Sequence, residues 1–309
     1  MLNAEKRKTI LLLIPIILVL IGYVLYPTVE TFIESFKKNG LFTLQNYVDF
    51  FGPKAQANLE ALWNSVYISL LSVLLSACIG VPLAFIFTRY NFPGRSFFSG
   101  IAIMPIVLPS LVGVMAFMWL YGEAGLIPVA LQDLLNLEEV PFSIGGVTGI
   151  LLVHAYTMYP YFYMTVSSAL NNVDPSLEES AANLGSGRFG VFWKVTFPLL
   201  TPALVAASLL VFMVSMASFS APFLLAGGYR VLSLQIYFSK INGDLEMAAT
   251  QSVILSAVSI TFLLFMRWFQ NRKDYRMGSK GIGAHRSEVN NPFLKWVMVS
   301  LGIVAMIVL

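Results

Sequence analysis

Polar and charged positions are so sparse along this chain that they cut it into blocks instead of marking helix faces. Apolar runs span Ile10–Tyr26, Leu62–Thr88, Phe97–Tyr121, Gly146–Leu170, Leu199–Leu225 and Ala248–Phe269, and another opens at Phe293 and continues to Leu309. The six complete runs hold 17 to 27 residues, enough for a helix to cross about 30 Å of hydrocarbon with some tilt. The predicted fold is all-α, a polytopic transmembrane helical bundle of six spans plus the start of a seventh. Residues 1–61 form a first span and an outer segment, 62–269 a helical core, 270–292 a basic linker, and 293–309 the start of a further span. The first run follows Lys6, Arg7 and Lys8 in the manner of a signal peptide. It is long for one and leads into Tyr26-Pro27 with no small-residue cleavage pattern, so it reads as a span. Pro105, Pro109, Pro160 and Pro222 lie well inside their runs. They fit either bent helices beside a gated path or the ordinary tolerance of membrane helices for proline. Pro202 reads as a helix start.

The longest polar interruption inside the core, Asn171 to Pro202, has an internal order. Asp174 is placed to cap a helix whose first position is Pro175, where a missing N–H costs nothing. Glu178 and Glu179 follow in the early turns, near the positive end of the helix dipole. Gly185 comes where a left-handed residue would end that helix. A second short helix fits Arg188–Val195, with Phe189 and Phe192 three apart on one face, until Pro198 breaks it and Thr201-Pro202 opens the next. The run Gly185 to Gly190 also fits the glycine pattern of a dinucleotide-binding turn. That motif needs a buried strand before it, and here a helix is expected.

Composition narrows the class. The chain is 57% hydrophobic and 11% charged, against roughly 25% charged in a soluble domain. With one cysteine, Cys78, and two histidines, neither a disulfide framework nor a cysteine metal site is expected; Cys78 reads as a small packing residue. Placing the Lys6 end in the cytoplasm puts fourteen basic residues inside and five outside, the bias that orients membrane proteins. The loop with Glu179 then faces the cytoplasm. No Asp, Glu, Lys or Arg sits in the middle of a run, which speaks against a carrier coupled to protons or sodium. No paired acids or nucleophile with base stand at catalytic spacing, so no enzymatic activity is expected. Two polar patches remain. His154, Tyr156, Thr157, Tyr159 and Tyr161 lie along the fourth run, and Ser215, Ser218 and Ser220 precede Pro222 in the fifth. Hydrogen bonding between helices and contact with a transported solute are both open for them.

Glu179-Ser180-Ala181, then Gly185, then Val195-Thr196-Phe197-Pro198 closely resembles the EAA loop of binding-protein-dependent ABC importer permeases. Both spacings of that pattern are kept, and Ser180, Val195 and Phe197 depart from it conservatively. The resemblance covers roughly Leu62 to Phe269. It implies a membrane subunit of the bacterial plasma (inner) membrane with its N-terminus in the cytoplasm. It further implies two cytoplasmic ATPase subunits, a second permease unit as a homodimer or fused second half, an extracytoplasmic solute-binding protein, and no nucleic acid. ATP and magnesium would sit on the ATPase, with no cofactor or metal in this chain. Glu179, Ser180, Ala181, Gly185, Phe189, Phe192, Val195 and Pro198 would couple to the ATPase, with Phe189 and Phe192 as apolar anchors. His154, Tyr156, Ser218, Ser220 and Pro222 would line the translocation path. The linker and the final run resemble the joint of fused iron(III)-type permeases, which makes iron(III), or another small solute delivered by a binding protein, the expected cargo. The alternative is a stand-alone ion-coupled carrier or facilitator.

Overall fold

The computed structural model describes residues 13–52 and 56–271, with 287–288, 296–297 and 300. The basic cluster Lys6–Lys8, nearly all of the expected linker and most of the final run lie outside the described residues. The described residues are overwhelmingly helical. Among them, five helical stretches are long and apolar enough to cross a membrane: Leu13–Glu34, Gln56–Arg89, Ser110–Leu135, Arg188–Met216 and Leu245–Asn271. The first, α1 (Leu13–Glu34), has no buried residue. A helix that shows Leu, Ile and Val all round is built for lipid. The expected fourth span is α7 (Gly146–Asn171), 26 residues long with twelve of them buried. It is less apolar than the five because protein, not lipid, surrounds much of it.

The chain divides into two units, one up to Asn64 together with Arg230–Val258, the other Ser65–Tyr229 with the stretch from Ser259 onward. In the smaller unit, a two-residue hairpin (β1 Lys37–Lys38, β2 Leu41–Phe42) leads into α2 (Gln45–Phe51). Phe50 of α2 packs with Leu232 of α11 (Leu232–Ile241) and Ile254 of α12 (Leu245–Asn271). Buried polar groups there are paired. Ser35 Oγ meets Tyr47 OH at 2.8 Å, and Thr250 Oγ1 donates to the Ser35 carbonyl at 3.1 Å.

The larger unit is organised around three helices: α3 (Gln56–Arg89), α7 and α9 (Arg188–Met216). Leu83, Ala84 and Phe87 of α3 pack with Tyr159, Tyr163, Val166 and Leu170 of α7 and with Leu200 of α9. Met158 and Phe162 of α7 meet Ala207 and Val211 of α9. Gly80 sets the crossing of α3 and α7, because a Cβ there would stand 2.5 Å from the Tyr159 carbonyl oxygen and 2.7 Å from the Phe162 Cβ. Where lipid replaces water, such close van der Waals fit is what holds helices together. Phe212 and Phe262 stack with centroids 3.8 Å apart, joining α9 to the second half of α12.

Several expected elements are corrected. The third run is not continuous: α4 (Arg95–Ile101) ends, a 3-10 turn occupies Met104–Ile106, and α5 (Ser110–Tyr121) begins after Pro109 in an extended conformation. Pro105 and Pro109 remove two N–H donors within one turn, and the helix does not survive that. The short helix α6 (Leu126–Leu135) follows. Pro198, in contrast, does not break a helix. Phe192–Thr196 widens into a π turn in which the Phe197 N–H reaches back to the Phe192 carbonyl, and the helix runs through Pro198 and Pro202 to Met216. Ile21–Leu25 makes the same π turn just before Pro27. The wider turn gives the proline ring room and absorbs its missing hydrogen bond. Thr201 is thus inside the helix, its hydroxyl donating to the Phe197 carbonyl at 3.2 Å. The fifth run ends early at Met216 and resumes as α10 (Ser220–Leu225). Cys78 is exposed on α3 and not packed.

Because a Cβ at Gly80 would overlap the α7 backbone, Gly80→Ala is expected to lower stability by about 1–3 kcal/mol. Thermal unfolding of the solubilised chain checks this; an unchanged midpoint would mean that α3 and α7 do not approach so closely.

Candidate docking loop and polar cavity

The loop between α7 and α9 carries α8 (Pro175–Asn183). Asp174 caps it, its side chain accepting from the Ser176 N–H at 2.9 Å, with Pro175 at the first position. Gly185 has φ of 86°. Its N–H reaches the Ala182 carbonyl at 2.9 Å, and the Ser186 N–H reaches Ala181 at 3.1 Å. That bond pair closes a helix through a left-handed residue. Gly187 then precedes the first turn of α9. The expected helix, glycine turn and helix are all present.

Side-chain placement divides the expected coupling residues. Glu179 and Ser180 are exposed, and Ala181, Val195 and Pro198 are half-buried. Phe189 is 77% exposed. Phe192 instead turns inward, its ring 5.5 Å from that of Phe85 on α3. The two phenylalanines do not form one outward face. The outward apolar pair is Phe189 with Leu184, which is 88% exposed at the tip of the turn. Sequence spacing gave no reason to single out Leu184, since it lies in no helical face.

Beneath the loop is an ion pair that the sequence reading passed over. Arg89, the last residue of α3, makes two hydrogen bonds to Glu178 at 2.5 and 2.8 Å. Thr196 Oγ1 donates to the same carboxylate at 2.6 Å. The sequence marks Glu178 only as an acid suited to a helix dipole, and no spacing links it to Arg89.

The second feature is a cavity of about 430 Å³ inside the larger unit, lined among others by Pro105, Ser110, His154, Thr157, Ser218 and Ser220. It lies where two helices are interrupted, at 102–109 and 217–219. Ser110 and Ser220, which begin the resumed helices, meet at 3.3 Å between hydroxyl oxygens. His154 is buried at the centre. Its Nδ1 stands 2.9 Å from Ser72 Oγ and 3.2 Å from Ser215 Oγ, and its Nε2 stands 2.9 Å from Ser218 Oγ. Ser72 spends its proton on the Ile68 carbonyl at 2.7 Å, so its oxygen accepts from Nδ1–H, and Nε2 accepts from Ser218. One imidazole therefore joins α3, α7, α9 and the break after Met216. Of the expected path residues, His154, Ser218 and Ser220 line the cavity. Tyr156 packs its ring 6.2 Å from Phe117, and Pro222 is buried within α10; neither is among the lining residues. No Asp, Glu, Lys or Arg is among the lining residues. Among the described residues, no group of three or more His, Cys, Asp or Glu side chains is placed to hold a metal ion.

Comparison with known proteins gives three kinds of likeness. The family described as binding-protein-dependent transport system inner membrane component matches residues 78–279. The ferric transport system permease protein FbpB of Actinobacillus pleuropneumoniae is 28% identical over 297 residues, which is 94% of this chain and 42% of that protein. The chain thus spans less than half the length of this relative. A probable molybdenum ABC transporter permease protein of Haloferax volcanii is 32% identical over 67% of this chain and 74% of its own length. Among solved structures, a chain of a bacterial alginate ABC transporter in complex with an alginate pentasaccharide-bound periplasmic protein superposes with a TM-score of 0.72. It covers 86% of this chain and 96% of its own at 18% identity, a shared fold.

Because His154 bonds hydroxyls on two helices and on the break after Met216, His154→Leu is expected to cost about 1–3 kcal/mol by leaving buried hydroxyls unpaired. Ser218→Ala should cost less. Denaturation of the solubilised chain tests the order; equal stability of His154→Leu and the parent would show that the imidazole is not a joint.

Proposed function

The chain belongs to the family of binding-protein-dependent transport system inner membrane components, and from that premise we propose that it is the permease subunit of an ATP-binding-cassette importer. It forms the translocation path and takes its driving motion from a cytoplasmic ATPase through the loop at 171–198. The observation that carries this reading is the capped helix ending in left-handed Gly185, which presents Leu184 and Phe189 as bare apolar side chains on a polar loop. Paired apolar anchors of this kind suit insertion into a groove on a partner. Glu179, Ser180 and Ala181 flank them. Phe192, Val195 and Pro198 act from beneath by fixing the loop to α3 and α9.

The path runs through the cavity at His154, Ser218 and Ser220. Its neutral lining gives no means of coupling to an ion gradient, which favours an external source of work over a stand-alone carrier. ATP and magnesium bind the two ATPase subunits, and this chain hydrolyses nothing. A second permease unit, as another copy or a fused half, completes the pore. A binding protein delivers the cargo from outside, and the N-terminus lies in the cytoplasm of a bacterial inner membrane. The cargo is iron(III) or another small solute handed over by a binding protein. The ferric relative, matched over 94% of this chain, supports iron, and the molybdenum relative supports a small inorganic oxyanion as the second solute to test.

Leu184→Glu with Phe189→Glu is expected to leave the solubilised chain folded and to abolish co-purification of its ATPase. Gly185→Pro should do the same, since it removes the N–H that closes α8. Uptake into vesicles should stop when ATP is depleted, and a maleimide probe on Ser186→Cys should react from the cytoplasmic side. Uptake that survives ATP depletion, or labelling from outside, overturns the reading.

A further inference from the structure

We propose that Arg89, Glu178 and Thr196 form a latch that carries movement of the loop helix α8 into α3 and α9, with Glu178 as the positioning residue. This rests on the permease reading above. None of the residues of α8 is fully buried; Pro175 and Ala181 are only half-buried, so apolar burial gives it a light footing. Its attachment is polar, and Glu178 makes the strongest part of it.

The carboxylate accepts from the two terminal guanidinium nitrogens of Arg89 and from the hydroxyl of Thr196, all within 2.8 Å. The two charged side chains are only 19% and 20% exposed, which spares the pair most of the screening that weakens a surface ion pair. A two-pronged guanidinium–carboxylate contact also fixes angle as well as distance. The ends match electrostatically. Arg89 closes the C-terminal turn of α3 and Glu178 lies in the first turn of α8, where each helix dipole favours its charge. Thr196 is the last residue of the π turn in α9. One carboxylate therefore joins the end of α3 and the start of α8 to the π turn within α9, and α3 and α9 reach the hydroxyls around His154 through Ser72 and Ser215. Glu179, the neighbouring acid, is exposed and makes no such contact among those found.

Two measurements test this. Hydrogen exchange on the purified chain, with no ATPase present, should show α8 amides exchanging about tenfold faster in Arg89→Ala and Glu178→Gln, the size expected on losing charge-assisted hydrogen bonds. The exchanged pair Arg89→Glu with Glu178→Arg should recover most of the protection. In the full complex with ATPase and binding protein, Glu178→Gln should keep ATP hydrolysis but lower solute moved per ATP about tenfold, and the exchanged pair should restore it. A purely structural role would lower assembly and hydrolysis together, and that result overturns the proposal. So does unchanged exchange in both single variants, or altered exchange with transport per ATP intact. A parent complex that moves no solute with ATP sinks the permease reading instead, while the exchange result still decides whether these residues hold the loop.

Discussion

Inside a bilayer every backbone N–H and C=O must find its partner within the protein, because no water is there to take its place. This constraint explains both the regular and the irregular parts of the chain. The long helices satisfy it internally. The two prolines that directly follow a helix turn, Pro27 and Pro198, are each preceded by a π turn. The helix continues instead of exposing free carbonyls. Where it does stop, at 102–109 and 217–219, residues of both breaks, among them Pro105, Ile106, Ala217 and Ser218, border the cavity.

That cavity and the packing around it are consequences of the same rule applied to side chains. A buried polar atom in this setting needs a bond, and His154 supplies bonds in two directions from one ring. Its Nδ1 side reaches α3 and α9, and its Nε2 side reaches the residue where α9 has ended. The joint is made only of neutral groups, so it can be broken and remade without moving a bare charge through a low-dielectric medium. The close seat at Gly80 is different in kind. It is a steric contact with no polar alternative, and it keeps α3 and α7 together as one body.

Much of this was legible in the sequence, for identifiable reasons. Hydropathy located the apolar runs because lipid demands continuous apolar length. Asp174, Pro175 and Gly185 announced their roles through backbone chemistry that depends on the residue itself. Hydropathy could not separate Pro105 with Pro109, which end a helix, from Pro198, which does not. At Pro198 a π turn upstream carries the helix on, and Pro82 and Pro160 are held within continuous α-helix, so the outcome depends on surroundings that composition does not record. Nor does spacing say which side of a helix meets protein, so Phe192 was grouped with Phe189 although it rests on Phe85. Arg89 and Glu178 lie 89 positions apart, and no local pattern links them. Leu184 is conspicuous only once the turn has aimed it outward.

The build of the loop suits the lever role proposed for it. A lever must be stiff along its length and fastened at few points. In α8 the cap at Asp174 and the paired carbonyl bonds at Gly185 provide stiffness from backbone groups, and the absence of buried residues leaves it free of the core. Had α8 been seated by apolar burial, moving it would require repacking a densely filled interior, which resists small displacements. A polar fastening to Arg89 and Thr196 tolerates small rotations while holding its ends. The exposed Leu184 and Phe189 sit at the far side of that stiff element from the fastening. On the proposed reading, a push on the tip would be delivered to the end of α3 and to the π turn of α9, the same helices whose hydroxyls meet around His154.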